Sequence, residues 1–134
     1  RDAIRRNAAD ADSLAWAARS LTALYSLSAG RLNSSAWLDE AAELCARAAA
    51  IDPDEDILSD WARVLSLKAE QNDGRSGELW AATARKYALA VARGGAEDET
   101  AAVNWHNWAY ALSSLAESRA TDGSRLKLLG QAAI

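Results

Sequence analysis

Apolar residues recur along most of the chain at the three-to-four spacing that places them on one face of an α-helix. The first such series is Leu14, Ala17, Leu21, Leu24 and Tyr25. No segment shows the alternating apolar and polar residues of a half-buried strand. Because the connections between the helical segments are short, neighbouring helices are expected to run antiparallel. The pattern therefore predicts an all-α fold.

Capping residues and helix breakers divide this pattern into about six helices. Acceptor side chains at Asp10–Ser13 predict the start of the first helix, and residues 1–9 are expected to continue a preceding one. Asp54–Asp56 predict the start of the third helix, because the helix dipole favours anions there. Thr121–Gly123 predict a turn into the sixth. The other predicted boundaries are a cap at Asn33–Ser35, an end at Ile51–Pro53, a fourth helix from about 76 to 93 and a fifth from Glu97–Glu99.

Composition disfavours partners that require a strong positive charge or a long apolar run. The 134 residues carry a formal net charge of −4, with basic residues spread along the chain, which argues against nucleic acid. No run approaches the roughly 20 apolar residues of a membrane span. The lone Cys45 can form no internal disulfide, so a cytoplasmic location is expected. The chain begins without Met and its last repeat is short, so we expect it to belong to a longer protein.

A tryptophan pattern repeats along the chain at offsets of 45 and 47 residues. Trp16, Trp61 and Trp108 open successive units, and each is followed by Ala. A gap-free alignment of the second and fourth helices gives a small, a bulky and a small residue before a helix breaker. These positions are Ala41, Cys45, Ala48 and Pro53 in one unit and Thr83, Tyr87, Ala90 and Gly95 in the next. Because one helical hairpin cannot bury its apolar face alone, the copies are expected to stack.

These positions resemble the motif of the tetratricopeptide repeat family, with its opening aromatic, its small–aromatic–small series and its closing Pro. The resemblance covers roughly residues 11–134 and implies a right-handed α-solenoid of antiparallel helical hairpins. It implies hairpin repeats at 10–53, 54–95 and 96–134, the last one truncated, after a helix tail at 1–9.

The chain departs from this family in two respects. Its period of about 45 residues is longer than the usual ~34. The family's Gly at the middle of the first helix is replaced by Ser20, Leu65 and Leu112. Other α-solenoids, such as the HEAT type, therefore remain an alternative.

No group of residues predicts catalysis, a cofactor or a metal site. His106 is the only histidine, and Cys45 lies 61 residues away in another predicted helix, so a Cys/His nucleophilic pair or a zinc site lacks ligands. The acids from Asp52 to Asp60 have the opening spacing of a calcium loop. Ile57 and Arg63 occupy the positions that need Gly and a carboxylate, so these acids are interpreted as helix caps. The Trp and Arg pattern of the prenyltransferase α-subunit repeats occurs at Trp16 but fails in the later two units.

The six tryptophans divide into two groups by their position in the repeat. Trp16, Trp61 and Trp108 occupy equivalent positions and are expected to fill the core. The other three, Trp37, Trp80 and Trp105, lie off that register and are expected to be more open. Of these, Trp80 and Trp105 are the predicted contact residues if the chain self-associates.

The resemblance implies that the first helix of each repeat lines a concave groove for a peptide or protein partner. The residues predicted to line it are Tyr25, Ser59, Ser66, Glu70, His106, Ser113 and Glu117. This set is almost free of Lys and Arg, unlike the grooves of family members that hold a chaperone's C-terminal carboxylates. The prediction is a non-catalytic interaction scaffold. The alternative is a structural or self-association domain of a larger protein, whether or not that protein is an enzyme.

Overall fold

The computed structural model describes residues 2–28, 34–71, 76–94 and 99–132, and within them the side chains of 9–28, 35–71, 77–94, 99 and 101–120. These residues form helices without any strand, which confirms the predicted all-α class. The helices are α1 (Asp2–Leu27), α2 (Ser34–Ile51), α3 (Glu55–Gln71), α4 (Ser76–Arg93) and α5 (Glu99–Ala132). The predicted breaker Gly95 lies outside the described residues, as do Asn33 of the predicted cap and residues 97–98 of the predicted start of the fifth helix.

The first helix is longer than the sequence predicts. We expected a helix start at Asp10–Ser13, but α1 runs without a break from Asp2 to Leu27. Residues such as Asp and Ser favour a helix start only when the preceding segment leaves the helix. Here Ala8, Ala9 and Ala11 surround Asp10 with strong helix formers, so helical hydrogen bonding continues through it.

The last helix likewise passes through a predicted turn. The sequence predicts a turn at Thr121–Gly123 and a sixth helix, whereas α5 is continuous from Glu99 to Ala132. One Gly inside a helix costs only about 1 kcal/mol relative to Ala. Leu126, Leu128 and Leu129 follow it and favour helix. The prediction of about six helices is therefore wrong for the described residues, which form five.

The connection between α2 and α3 is where the sequence prediction is most accurate. The α2 helix ends at Ile51, and Pro53 follows in a three-residue linker. The Asp54 carboxylate accepts a hydrogen bond of 2.9 Å from the backbone N–H of Ile57, three residues into the next helix. Asp54 is thus the N-cap of α3, as the helix-cap interpretation of these acids predicts.

Each helix packs against the next one in the chain, and α1 also contacts α3. Further contacts between α3 and α5 are made by side chains, including a hydrogen bond from Ser59 to Asn104. The core consists of three buried clusters. One joins α1, α2 and α3 through Ala11, Ala15, Ala48 and Ile57; the next joins the same helices through Ala18, Leu38, Ala41, Cys45 and Val64; the last joins α3, α4 and α5 through Ala62, Ala69, Trp80, Ala84, Tyr87 and Ala111.

The placement of the tryptophans corrects the sequence interpretation. Trp16 was expected in the core but is 64% exposed, whereas Trp80 was expected to be open and is 6% exposed. Trp61 and Trp108 are half-buried and pack against core clusters. Trp105 is exposed, as predicted. Repeat position therefore does not determine the burial of an aromatic residue, because it depends on which neighbouring helices surround that position.

None of the helices, as far as their residues are described, is both long enough and apolar enough to cross a membrane.

Candidate functional site

Two clefts lie on the surface, one between α1 and α3 and the other between α3 and α5. The first cleft has a volume of about 240 Å³ and lies between α1, α2 and α3. The second cleft has a volume of about 270 Å³ and lies between α3, α4 and α5. The first is lined by Ala18, Arg19, Thr22, Ala23, Ser26, Cys45, Asp60, Arg63 and Val64; the second by Arg63, Ser66, Leu67, Glu70, Trp80, Thr83, Tyr87, Asn107 and Tyr110.

The two clefts are built from equivalent positions of the internal repeat. A shift of 44 residues maps the α1 lining Arg19, Thr22, Ala23 and Ser26 onto the α3 lining Arg63, Ser66, Leu67 and Glu70. A shift of 42 residues maps Cys45 of α2 onto Tyr87 of α4. A shift of 47 residues maps Asp60 and Arg63 of α3 onto Asn107 and Tyr110 of α5. The clefts are therefore successive copies of one structural feature, and Arg63 belongs to both.

The first cleft is bridged by an ion pair between its two walls. The Arg19 guanidinium donates a hydrogen bond of 2.7 Å from Nε to Asp60 Oδ2. Burial raises the pKa of the Asp60 carboxyl above its usual range, and Arg19 partly offsets this. The same guanidinium lies 5.6 Å from the ring centre of Trp16. Arg19 is thereby held over the cleft by contacts with both α1 and α3.

The second cleft has no charged pair at the position of the first one. Asn107 replaces Asp60 there, and it partly offsets the rise that burial causes in the pKa of Tyr87 at the cleft floor. The Tyr110 hydroxyl lies 3.4 Å from Glu70 Oε1, which joins α5 to α3 across the opening. The Tyr110 ring meets Trp80 edge to face at a centroid distance of 5.5 Å. This cleft therefore has an aromatic floor, and its walls carry the neutral Ser66 and Asn107 together with the charged Arg63 and Glu70.

The ionisable groups at the cleft floors are not activated for catalysis. Burial raises the pKa of the Cys45 thiol to about 12, so at neutral pH it lacks the thiolate character that a nucleophile needs. Burial also raises the pKa of the Tyr87 hydroxyl. Within the described part of the chain, no group of three His, Cys, Asp or Glu side chains could hold a metal ion. The clefts offer hydrogen-bonding groups and apolar surface, which are the elements of a binding site.

Two of the seven residues predicted to line a groove contribute to a cleft. Ser66 and Glu70 line the second cleft. Tyr25 is half-buried and packs against the core cluster of α1 and α2. Ser59 donates a hydrogen bond of 2.9 Å to the buried Asn104. The three α5 residues His106, Ser113 and Glu117 are exposed and line neither cleft.

Sequence reasoning missed the charged residues of the clefts. It predicted a groove almost free of Lys and Arg, whereas Arg19 and Arg63 line the cleft walls. The predicted groove residues on α1 and α5 lie on other faces of these helices than the cleft linings, so their role stays a prediction. An alignment of α1 with α3 at an offset of 44 residues is the sequence signal that could have found the cleft lining, because it places Arg19 and Arg63 at the same position of the repeat. The tryptophan alignment, at an offset of 45 residues, does not.

Comparisons of the chain with protein-family models, with curated proteins and with solved structures find no match. The resemblance to tetratricopeptide repeats therefore rests on the repeated residues themselves.

Proposed function

We propose that this chain is a non-catalytic scaffold that binds a peptide segment of a protein partner along its two clefts. In this proposal the hairpins α1–α2 and α3–α4, followed by α5, form a short solenoid of the tetratricopeptide kind, and the clefts lie on its concave side. The observation that carries the proposal is the repeated cleft. Two copies of one small cleft, joined at Arg63, form a path suited to an extended ligand.

The lining of the clefts favours a peptide over a small metabolite. Each cleft combines an apolar floor with polar groups at its walls, and Arg19 and Thr22 of the first cleft recur as Arg63 and Ser66 in the second. Ser66, Asn107 and Tyr110 can exchange hydrogen bonds with peptide backbone groups in the second cleft. Arg63 supplies a positive group between the clefts, and Glu70 supplies a negative one. A mixed-polarity peptide fits this lining better than a strongly acidic or basic one.

The pKa directions support binding without chemistry. A catalytic nucleophile or general base requires a pKa near the working pH. The most buried nucleophile of the first cleft, Cys45, has its pKa raised to about 12 instead. Asp60 faces an arginine with which it already forms a hydrogen bond, so it is occupied in a structural contact.

The proposal can be tested with one type of substitution at three positions. Ser26→Arg fills the first cleft and Ser66→Arg fills the second, whereas Ser20→Arg places the same side chain on exposed α1 surface outside both clefts. Ser20 and Ser66 are well matched, because each hydroxyl donates a hydrogen bond to a backbone carbonyl in the preceding turn of its own helix.

The experiment selects peptides from a displayed random library on the wild-type chain and then measures affinity for each variant by calorimetry. We expect the selected peptides to bind Ser26→Arg and Ser66→Arg about tenfold or more weakly, since an inserted side chain blocks the apolar floor. Binding by Ser20→Arg should be unchanged. Equal loss in all three variants, or equal binding by all three, would place the ligand elsewhere and overturn the proposal. Circular dichroism checks that each variant keeps its helices.

A further inference from the structure

One face of α5 is apolar and uncovered by the described residues. It is formed by Ala102, Trp105, Ala109, Leu112 and Ala116, called here the α5 stripe. These residues recur at intervals of three and four, so they lie along one line of the helix. Trp105 is 53% exposed and Leu112 is 47% exposed, and the three alanines are exposed as well. Apolar surface of this length on one helix usually indicates an interface.

The internal repeat indicates what kind of element covers this face. A shift of 47 residues maps the stripe residues Trp105, Ala109, Leu112 and Ala116 onto Leu58, Ala62, Leu65 and Ala69 of α3. All four α3 residues are buried, and Ala62 and Ala69 share a cluster with Trp80, Ala84 and Tyr87 of α4. The equivalent face of α1 includes Ala18, which is buried against α2. In both hairpins the face is covered by an antiparallel helix.

Another face of α5 is buried against the preceding helices α3 and α4. Ala111 corresponds to Val64 of α3 by the same shift, and each is buried against the preceding hairpin. Trp108 and Leu115 pack against the same cluster as Ala111. Helix α5 thus packs on the preceding hairpin as α3 does, but among the described residues no helix covers its stripe as α2 covers α1 and α4 covers α3.

We propose that the α5 stripe is a self-association surface, on which the α5 helix of a second copy packs antiparallel about a two-fold axis. The covering helices α2 and α4 present large and small residues alternately, as in Leu38, Ala41, Cys45 and Ala48 of α2. The stripe has the same alternation, with Trp105, Ala109, Leu112 and Ala116. The stripe of one copy can therefore pack against the stripe of a second copy.

An antiparallel register centred between Ala109 and Leu112 matches the side-chain sizes. It sets Trp105 against Ala116 of the other copy and Ala109 against Leu112, so that every layer pairs a large residue with a small one. The ring of Trp105 lies 5.2 Å from that of Trp108, which is itself packed on the core. Trp105 is thereby supported as a rigid anchor of the interface.

The charges of α5 favour the antiparallel orientation. Glu99 lies at its N-terminal end, and Arg119 lies near the C-terminal limit of the residues whose side chains the structure describes. Antiparallel packing brings the acidic end of one copy near the basic part of the other. A parallel pair would place like charges side by side. Both Glu99 and Arg119 are exposed and accessible to such a contact.

Sedimentation equilibrium of the whole chain over a wide range of concentrations tests the proposal. We expect a reversible monomer–dimer equilibrium, with a dimer mass of twice 14.3 kDa. Leu112→Lys places a charge in the stripe and should raise the dimer dissociation constant about tenfold or more. Val103→Lys is the matched control, because Val103 is also apolar and 57% exposed but lies outside the stripe on the same helix. It should change the constant by less than about twofold.

Charge reversal tests the orientation. Glu99→Arg and Arg119→Glu should each weaken the dimer, and the double variant should recover part of the loss, because the two residues lie about one helical turn apart between copies and the long Arg side chain can span that distance. A chain that stays monomeric at every concentration would show that a different helix covers the stripe and would overturn the proposal. So would a dimer that Leu112→Lys and Val103→Lys weaken equally.

This proposal does not depend on the peptide clefts. Ser66→Arg should leave the dimer intact, and Leu112→Lys should leave peptide affinity intact. Dimer formation and peptide affinity are therefore measured separately, and each result decides only its own proposal.

Discussion

The two junctions between successive hairpins use equivalent positions but different chemistry. At the first junction, where α3 meets α1 and α2, Ile57 is buried among Ala11, Ala15 and Ala48. At the second junction, where α5 meets α3 and α4, the equivalent residue is Asn104, which is 2% exposed. Its amide donates a hydrogen bond of 3.2 Å to Glu55 and accepts one of 2.9 Å from Ser59. One junction is joined by apolar packing and the other by a satisfied polar network.

The difference teaches that the contact of α3 with α1 and α2 and the contact of α5 with α3 and α4 are specified by different residues and different chemistry. An apolar contact such as that of Ile57 contributes most to stability but tolerates small shifts along the helix. A buried amide with two partners is stable only in the register that satisfies both, so Asn104 fixes α5 relative to α3. The same contrast extends to the clefts beside the junctions, where Asp60 in the first is replaced by Asn107 in the second. Exchanging the residues between the junctions tests this view.

The largest effect is expected when the polar residue is placed in the apolar junction. Ile57→Asn removes buried apolar surface and leaves an amide among Ala11, Ala15 and Ala48, whose side chains offer no hydrogen bond. We expect the free energy of unfolding to fall by about 3–5 kcal/mol, measured by urea denaturation. Ile57→Val is the control and should cost about 1 kcal/mol. If the free energy of unfolding fell only as much as in Ile57→Val, water or a backbone group would hydrogen-bond to the new amide. The contact of Ile57 with Ala11, Ala15 and Ala48 would then admit water.

The reverse exchange should cost less. Asn104→Leu loses two hydrogen bonds but gains apolar surface, and Ser59 is only half-buried and can turn towards water. We expect the free energy of unfolding to fall by about 1–3 kcal/mol. Ser59→Ala removes one partner alone and should cost less than the full exchange. If Asn104→Leu stabilised the chain, the hydrogen bonds of Asn104 would lower the stability of the fold. Their only contribution would then be to fix the position of α5 along α3.

The smallest effect concerns the ion pair of the first cleft, and it depends on pH. Burial raises the folded-state pKa of Asp60 above its ordinary value of 3.8. The native state therefore favours the protonated carboxyl, so this contribution to stability is fully present below pH 3.8 and is lost as the pH rises through the folded-state pKa. Asp60→Asn makes the first cleft resemble the second and removes this dependence. Because the Arg19 side chain is 42% exposed, the loss of the pair itself should cost about 1 kcal/mol or less at neutral pH.

Urea unfolding of both proteins at a series of pH values measures this difference. Relative to Asp60→Asn, the wild-type chain should become less stable as the pH rises from below 3.8 towards neutrality. A difference that grows with pH would mean that the Arg19 contact outweighs the burial of the carboxyl.

The helices and their order could be predicted well from the sequence. Periodicity gave α2, α3 and α4 nearly to the residue, and the Asp54 cap was read correctly, because helix signals of this kind are local. The errors at Asp10–Ser13 and Thr121–Gly123 came from signals that permit a break without requiring one. The candidate site was predicted less well. Ser66 and Glu70 were placed in a cleft, but Arg19 and Asp60 were not considered together, since their 41-residue separation closes only in the folded chain.

The sequence by itself determined an all-α chain with an internal repeat, since apolar spacing and repeat offsets depend only on the order of residues. Tertiary structure alone decided which face of each helix is covered. Helix α3, for example, contacts α4, the preceding pair α1 and α2, and α5, so most of its circumference can be apolar. That is why Trp16 lies exposed and Trp80 buried, against their repeat positions. It is also why the described residues leave the apolar stripe of α5 uncovered while the matching stripe of α3 forms part of the core.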